Sequence, residues 1–241
     1  MKIIGIIPAR YASTRLPGKP LIKINGKPMI QHVYESAMKS KLLNRIIVAT
    51  DDKRIYNAVM QFWGEAVMTS IKHKSGTDRI GEIMNQRNSE IANSDIIVNI
   101  QGDVPFLDAR NIDKTIAPLL KEKKIQTATL AKKIDDIREM NNPNTVKVYF
   151  DKERFALDFS RTVKPYNKKG KANYYKHIGL YVFRKEYLMK FIKMKPSKRE
   201  LLEKLEQLRI LDNDDDIKVV LTRLDAQSVD TKEDLAKLTK K

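Results

Sequence analysis

The sequence predicts an α/β fold: a mostly parallel sheet covered by helices on both faces, with an antiparallel excursion in its second half. Three observations carry this. Apolar runs such as Ile3–Ile7, RIIVATD (45–51) and DIIVNIQGD (95–103) read as strands buried on both faces. Segments with helical patterns separate them, as in βαβ units. After Val146 the alternation stops, and three strand candidates follow one another without long helices between them.

Taken in order, Lys2–Pro8 is a strand and Pro28–Lys39 a helix with proline in its first turn. Arg45–Asp51 is a strand, Lys53–Trp63 a helix, Ala66–Ser70 a short strand and Asp78–Glu90 a helix. Asp95–Asp103 is the next strand, then a helix over Asn111–Lys123 and a strand over Gln126–Lys132. The antiparallel excursion comprises Val146–Asp151, Ala156–Arg161 and His177–Phe183, with Val163–Tyr175 as a polar, Lys- and Tyr-rich loop. Leu201, Leu205 and Leu208 stand at helical spacing and predict one helix over Lys198–Asp212. A strand, Ile217–Thr222, and a helix, Thr231–Leu238, come last. We expect a single domain over residues 1–241, with 146–183 as a lid or dimerisation subregion.

Composition narrows the classes. Hydrophobic residues are 41% and charged residues 32%, which fits a soluble globular chain with a sizeable core. No apolar run approaches the length of a membrane span, and the first apolar run is too short for a signal h-region. With no cysteine there is no disulfide framework, thiolate metal site or cysteine nucleophile. A cytoplasmic enzyme satisfies all of this. The net charge of +17 fits a nucleic-acid binder, steering of an anionic substrate, or a lysine-rich composition without special meaning. A nucleic-acid binder is the less supported of these, because the lysines are scattered and no basic stripe interleaved with aromatics occurs.

The opening strand runs into IPARYASTRLPGKPL (7–21), which sets Arg10, Arg15 and Lys19 in a loop rich in turn residues. Guanidinium groups grip phosphate oxygens bidentately and lysine adds a mobile charge, so the loop suits a nucleoside triphosphate; an ordinary basic surface loop is the alternative. It is not a Walker A loop, because Ser13 replaces the first glycine and Pro20 follows Lys19. In a parallel sheet ligands bind beyond the carboxyl ends of the strands, where Arg10, Asp51-Asp52 and Asp103 should emerge. Asp103 ends the strongest strand and fits a Mg²⁺ ligand or a turn aspartate; Asp230 fits a second ligand or a helix cap. Ser75, Thr77 and Asp78 fit either nucleotide contacts or helix capping, as do Asp51-Asp52, and Arg79 stands where it can approach a phosphate. His32, His73 and His177 lack zinc spacing, and no G-x-S-x-G occurs. The run Asp212–Asp216 lacks the glycine and glutamate of a calcium loop and reads as a solvated turn.

These residues resemble those of the 3-deoxy-manno-octulosonate cytidylyltransferases, the CMP-Kdo synthetases. The resemblance rests on IPARYASTRLPGKPL (7–21), ATDD (49–52), SGTDR (75–79), VNIQGD (98–103), NPNTVKVYFD (142–151), FSR (159–161), HIGLYVF (177–183), LEQLR (205–209) and VDTKEDL (229–235). It implies a Rossmann-like nucleotide-diphospho-sugar transferase fold, usually a homodimer, and conversion of CTP and Kdo to CMP-Kdo and pyrophosphate with Mg²⁺, for lipopolysaccharide precursor synthesis. It further implies that Arg10, Ser13, Arg15 and Lys19 grip the triphosphate, with Ser75, Arg79 and Gln101 beside the nucleotide. Asp103 and Asp230 correspond to the metal ligands, and Arg10, Lys19, Asp103 and Asp230 to the catalytic set. Arg161, His177, Tyr181, Glu206 and Gln207 match the sugar-side positions; for Arg161 a structural salt bridge is the competing reading. Val104, Lys164 and Ser228 depart from the family pattern. They leave open a related acceptor, either an amino-substituted Kdo or a sialic-acid-like sugar.

Overall fold

A computed structural model describes residues 1–12, 16–73, 75–85, 90–164 and 173–239. The chain divides into two units: Met1–Asp113 with Ala226–Lys241, and Lys114–Asp225.

The first unit opens with β1 (Ile3–Ala9), a small hairpin of β2 (Lys23–Ile24) and β3 (Lys27–Pro28), and α1 (Met29–Ala37). It continues through β4 (Arg45–Thr50), α2 (Lys53–Gln61), β5 (Ala66–Met68), α3 (Gly76–Met84) and β6 (Ile96–Asn99). The unit boundary falls within α4 (Ala109–Lys121). Apart from that hairpin, its strands lie in the order β6-β1-β4-β5, all parallel, with Ile6 opposite Ile47 and Gly5 opposite Val98. Ile6, Ile7, Ile47, Val48, Ile97 and Val98 are completely buried. Each such side chain contributes about 1.5–3 kcal/mol relative to exposure, which explains why unbroken apolar runs form the centre. The helices start where the sequence supplies caps. Asp52 accepts from the Arg54 amide at α2, and Ser75 and Asp78 form a capping box at α3.

The second unit comprises β7 (Thr127–Lys133), α5 (Ile137–Asn141), β8 (Lys147–Phe150), β9 (Ala156–Ser160) and β10 (Tyr175–Arg184), then α6 (Lys185–Phe191), α7 (Lys198–Glu203), α8 (Leu208–Leu211) and β11 (Lys218–Thr222). Here β11 is parallel to β7, whereas β7–β10, β10–β8 and β8–β9 are antiparallel. The expected α/β class, with a parallel sheet and an antiparallel excursion over 146–183, is therefore what the chain forms. The last helix, α9 (Lys232–Thr239), belongs to the first unit; Leu235 and Leu238 pack against its cluster of Leu16, Ile24, Met29 and Val229.

One expectation is overturned. The single helix over 198–212 is broken: α7 stops at Lys204, which adopts φ 54°, and α8 starts only at Leu208. The periodic leucines misled because Leu205 and Leu208 are buried while Leu201 and Leu202 are 66% and 82% exposed. A buried pair, Arg209 to Glu200 at 2.5 and 2.7 Å, bolts the two helices across the break. The helices α5 and α6 were not expected. The acidic run 212–216 is a turn, as expected, with Asp212 paired to Arg199 and Asp215 to Lys190.

Candidate active site

The carboxyl ends of β1 and β6 carry a cavity of about 280 Å³, whose lining includes Arg10, Lys19, Ser75, Gln101, Asp103 and Asp230. Close approach of the two strand ends is what shapes it. A Cβ on Gly102 would lie 2.9 Å from the Pro8 carbonyl oxygen, so only glycine allows the turn after β6 to sit against β1. On the opening loop, Gly18 adopts φ 67° and its amide donates to the Tyr11 carbonyl at 3.0 Å. The Arg54 guanidinium stacks 3.3 Å from the centroid of the Tyr11 ring and pairs with Asp52 at 2.7 Å. That loop brings Lys19 over the cavity.

Lys19 Nζ donates to Asp103 Oδ2 at 2.9 Å, to Asp230 Oδ1 at 3.2 Å and to the Val229 carbonyl at 2.9 Å. Asp103 follows β6. Asp230 is placed by its neighbour Val229, which is completely buried and whose amide donates to the Asp103 carbonyl at 2.9 Å. The two aspartates singled out in the sequence thus converge, and one ammonium between two carboxylates leaves a net negative charge. Hard oxygen donors, only two of them, fit a Mg²⁺ ion that completes its shell with phosphate oxygens and water. Among the described residues no group of three or more His, Cys, Asp or Glu side chains is arranged to hold a metal, so a caged all-protein site is not the architecture.

Around this centre the other sequence candidates separate by role. Arg10 is exposed and lines the cavity. Gln101 donates to Asn99 Oδ1 at 3.3 Å, and buried Asn99 donates to Thr77 Oγ1 at 3.3 Å. Ser75 caps α3 and also lines the cavity, placing the positive end of that helix there. Arg79 lines the cavity too, yet it is 3% exposed and its guanidinium is committed to Asp51 at 2.6 Å, to the Thr69 hydroxyl and to the Ser70 carbonyl. The sequence left Asp51 between a ligand contact at the strand end and a helix cap; in the structure it holds Arg79. His73, not anticipated, lines the cavity and bonds Glu82. Burial raises the Glu82 carboxyl, but the Ser70 amide and His73 outweigh it and hold it below its ordinary value. Ser13 and Arg15 lie outside the described residues.

The sugar-side candidates all belong to the second unit. His177 and Tyr181 flank a register shift in β10, where a bulge re-aims side chains. Their rings are 5.3 Å apart, and Phe159 lies edge-on 5.1 Å from His177. Burial depresses His177 from 6.5 to about 3, so the imidazole is neutral at physiological pH. Its Nε2 lies 2.8 Å from Thr129 Oγ1, and that hydroxyl donates to the Leu180 carbonyl at 2.9 Å. A hydroxyl has one proton; with it spent on Leu180, Thr129 must accept from Nε2–H, which leaves Nδ1 as the acceptor nitrogen. Burial, and then the charge of Glu206, raise the Tyr181 hydroxyl well above its ordinary value. Glu206 and Gln207 occupy the break between α7 and α8. Gln207 is 5% exposed, and its Nε2 has no acceptor among the described residues. Arg161 makes no salt bridge among the described residues; its guanidinium donates to the Glu203 and Pro143 carbonyls at 3.0 and 3.3 Å. Of the departures, Val104 is buried, Ser228 is exposed, and Lys164 pairs with buried Asp158 at 2.6 Å.

A parallel α/β unit whose basic loop and two converging carboxylates meet beyond the carboxyl ends of its strands has the layout of a nucleotide-binding enzyme. Residues 4–217 match the family model described as Cytidylyltransferase. A 3-deoxy-manno-octulosonate cytidylyltransferase of Geobacter metallireducens is 46% identical over 254 residues, covering 100% of this chain and 98% of the relative. One of Fusobacterium nucleatum is 46% identical over 236 residues, covering 98% and 94%. A solved CMP:2-keto-3-deoxy-manno-octonic acid synthetase, complexed with CTP, superposes with a TM-score of 0.92 at 39% identity, covering 100% and 98%. The chain belongs to the cytidylyltransferase family, among the 3-deoxy-manno-octulosonate cytidylyltransferases.

Proposed function

We propose that this protein transfers the cytidylyl group of CTP to Kdo, with Mg²⁺ held by Asp103 and Asp230. The convergence of those two carboxylates on Lys19, at the mouth of a basic loop, is the observation that carries the reading. The relatives' names supply the substrates. An anomeric hydroxyl oxygen of the sugar attacks the α-phosphorus, the bond to the β-phosphate bridging oxygen breaks, and pyrophosphate leaves while the hydroxyl proton passes to solvent. Arg10, Lys19 and the amino end of α3 offset charge as it shifts onto pyrophosphate, with Ser13 and Arg15 assigned to the same grip. When bound, the metal ion neutralises phosphate charge and makes a nearby hydroxyl ionise more readily. Arg79 acts by shaping the wall rather than as a free cation, and Gln101 lines the nucleotide side.

In the second unit, Arg161 meets the sugar carboxylate, because its guanidinium is held by carbonyls and no carboxylate among the described residues cancels its charge. His177 Nδ1 accepts from a sugar hydroxyl, and Tyr181, Glu206 and the amide of Gln207, which has no acceptor among the described residues, supply further polar contacts. We assign homodimer contacts to the 146–183 subregion, where Leu157 on β9 is 54% exposed. Among the described residues no helix is long and apolar enough to cross a membrane. We place the reaction in the cytoplasm, supplying an activated sugar for lipopolysaccharide. The deciding experiment measures pyrophosphate release from CTP with Kdo, an amino-substituted Kdo and N-acetylneuraminate, with and without Mg²⁺. Release with Kdo that depends on the metal is expected. Turnover confined to N-acetylneuraminate overturns the acceptor, and salt-sensitive nucleic-acid binding without CTP turnover overturns the enzyme reading.

A further inference from the structure

Lys147, on β8, is completely buried, yet no carboxylate pairs with it among the described residues. Buried ammonium groups are costly and are ordinarily paired with an anion, so this one needs an explanation. Its Nζ donates to two main-chain carbonyls, Asn142 at 2.8 Å and Arg161 at 2.9 Å. Burial lowers its pKa from the ordinary lysine value, consistent with a cation that lacks a counter-charge.

The two carbonyls are not arbitrary. Asn142 ends α5 and opens a turn closed by the Thr145 amide on the same Asn142 oxygen at 3.0 Å. Pro143, next in that turn, accepts from Arg161 Nη1, while Arg161 Nε is held by Glu203. Lys147 therefore joins the main chain at Arg161 to the turn that receives the Arg161 side chain. Strand register makes this possible: Lys147 stands opposite Ser160, the residue before Arg161, on β9 and opposite Lys176, the residue before His177, on β10. Lys176 has its own anions, Glu139 at 2.8 Å and Asp225 at 2.7 Å, so of this facing pair Lys147 alone lacks a carboxylate among the described residues.

We propose that Lys147 is a positioning residue for Arg161: its ammonium clamps the 142–143 turn to the Arg161 main chain, so that the guanidinium is fixed by carbonyls alone and keeps its full charge for an anionic acceptor. The acceptor's identity as an acidic sugar rests on the function proposed above. The clamp itself does not. Lysine suits the position because three donors on one nitrogen can satisfy carbonyls from two different segments, which an apolar residue of the same length cannot do.

Two readouts test it in the full-length protein. In the first, the Arg161 Nε–H resonance is assigned by its loss in Arg161→Met, and its solvent exchange is compared between wild type and Lys147→Met. We expect exchange at least 10-fold faster in Lys147→Met, with far-UV circular dichroism unchanged; equal exchange overturns the proposal whatever the substrate proves to be. In the second, KM values are measured with Kdo and CTP. Lys147→Met should raise KM for the sugar at least 10-fold and leave KM for CTP within 2-fold. In the Arg161→Met background it should add less than 2-fold, because it acts through that residue. Multiplying effects, or a sugar KM within 2-fold of wild type, sink the clamp. Should Lys147→Met fail to fold, Lys147→Gln, which keeps a shorter donor, is to show intermediate exchange. A wild type inactive with Kdo overturns the substrate reading and leaves the exchange measurement to judge Lys147.

Discussion

Asp103 and Asp230 accept hydrogen bonds from the same ammonium, Lys19, although they come from opposite ends of the first unit's chain segments. Their separation in sequence is bridged by one main-chain bond, Val229 N to the Asp103 carbonyl, and by the burial of Val229. Asp103→Asn and Asp230→Asn should each remove most turnover while the melting temperature changes little. Lys19→Ala should slow pyrophosphate release about 10²–10³-fold, the loss expected of one preorganised electrostatic contact. Steady-state rates at saturating CTP are the measurement. Turnover within a few-fold of wild type would remove Lys19 from the chemistry.

Gly102 is predicted to tolerate no side chain. An alanine Cβ would stand 2.9 Å from the Pro8 carbonyl oxygen, a backbone atom that cannot rotate aside. Gly102→Ala should cost about 1–3 kcal/mol, as overpacking does, and should weaken CTP binding because Asp103 moves with it. Thermal unfolding and CTP titration of the one variant check both. An alanine protein with unchanged melting and affinity would show that the strand ends are not held this close.

The Arg79–Asp51 pair makes a sharper claim about an assignment from sequence. Their side chains are 4% and 12% exposed. Removing one partner strands a buried charge, so Arg79→Met and Asp51→Asn should each destabilise by about 3–5 kcal/mol, with the double variant recovering part of the loss. A free phosphate-binding arginine would behave otherwise: its loss would raise KM for CTP and leave the melting temperature alone. Urea unfolding of the three variants decides between these patterns.

How far the chain could be understood before its structure follows from what each signal depends on. The parallel strands β1, β4 and β6 were legible because burial on both faces leaves an uninterrupted apolar run in the sequence itself. Asp103 was legible because it ends such a run. Asp51 was left between a ligand contact and a cap because its partner, Arg79, is chosen by the tertiary packing of β4 against α3, which no local pattern records. The break at Lys204 was invisible because the leucine spacing continues through it, and only tertiary packing sends Leu205 and Leu208 inward while leaving Leu201 and Leu202 in water. Lys147 gave no sign at all, since a lysine inside a strand reads as a solvent-facing residue until the carbonyls around it are known.

Thr129 should control the tautomer of His177. Thr129→Val keeps the shape and removes the oxygen that accepts from Nε2–H. The variant is expected to lose the single preferred tautomer in ¹⁵N spectra of His177 and to turn over about 10-fold more slowly, the scale of one unmet hydrogen bond. Thr129→Ser, which restores the hydroxyl, should recover both. A valine variant with wild-type spectra and rates would mean that the neutral ring is oriented by Phe159 and Tyr181 alone.

The same histidine makes stability depend on pH in a direction that can be worked out. Its folded value is depressed to about 3 against an ordinary 6.5. Above pH 6.5 neither the folded nor the unfolded chain protonates it, and its contribution to stability is fully present. Between pH 6.5 and about 3 the unfolded chain binds a proton that the folded chain refuses, so stability falls as pH falls, with a limiting slope of about 1.4 kcal/mol per pH unit from this one group. In His177→Asn that proton is gone, and the acid limb of the stability curve should be shallower by the same amount. Urea midpoints for both proteins between about pH 4 and pH 8, which cover most of the falling limb and the plateau above it, supply the comparison. Parallel acid limbs would mean that His177 is protonated as readily in the folded chain as in the unfolded one, and the hydrogen-bond chain through Thr129 to Leu180 would then need a charged imidazole in place of a neutral one.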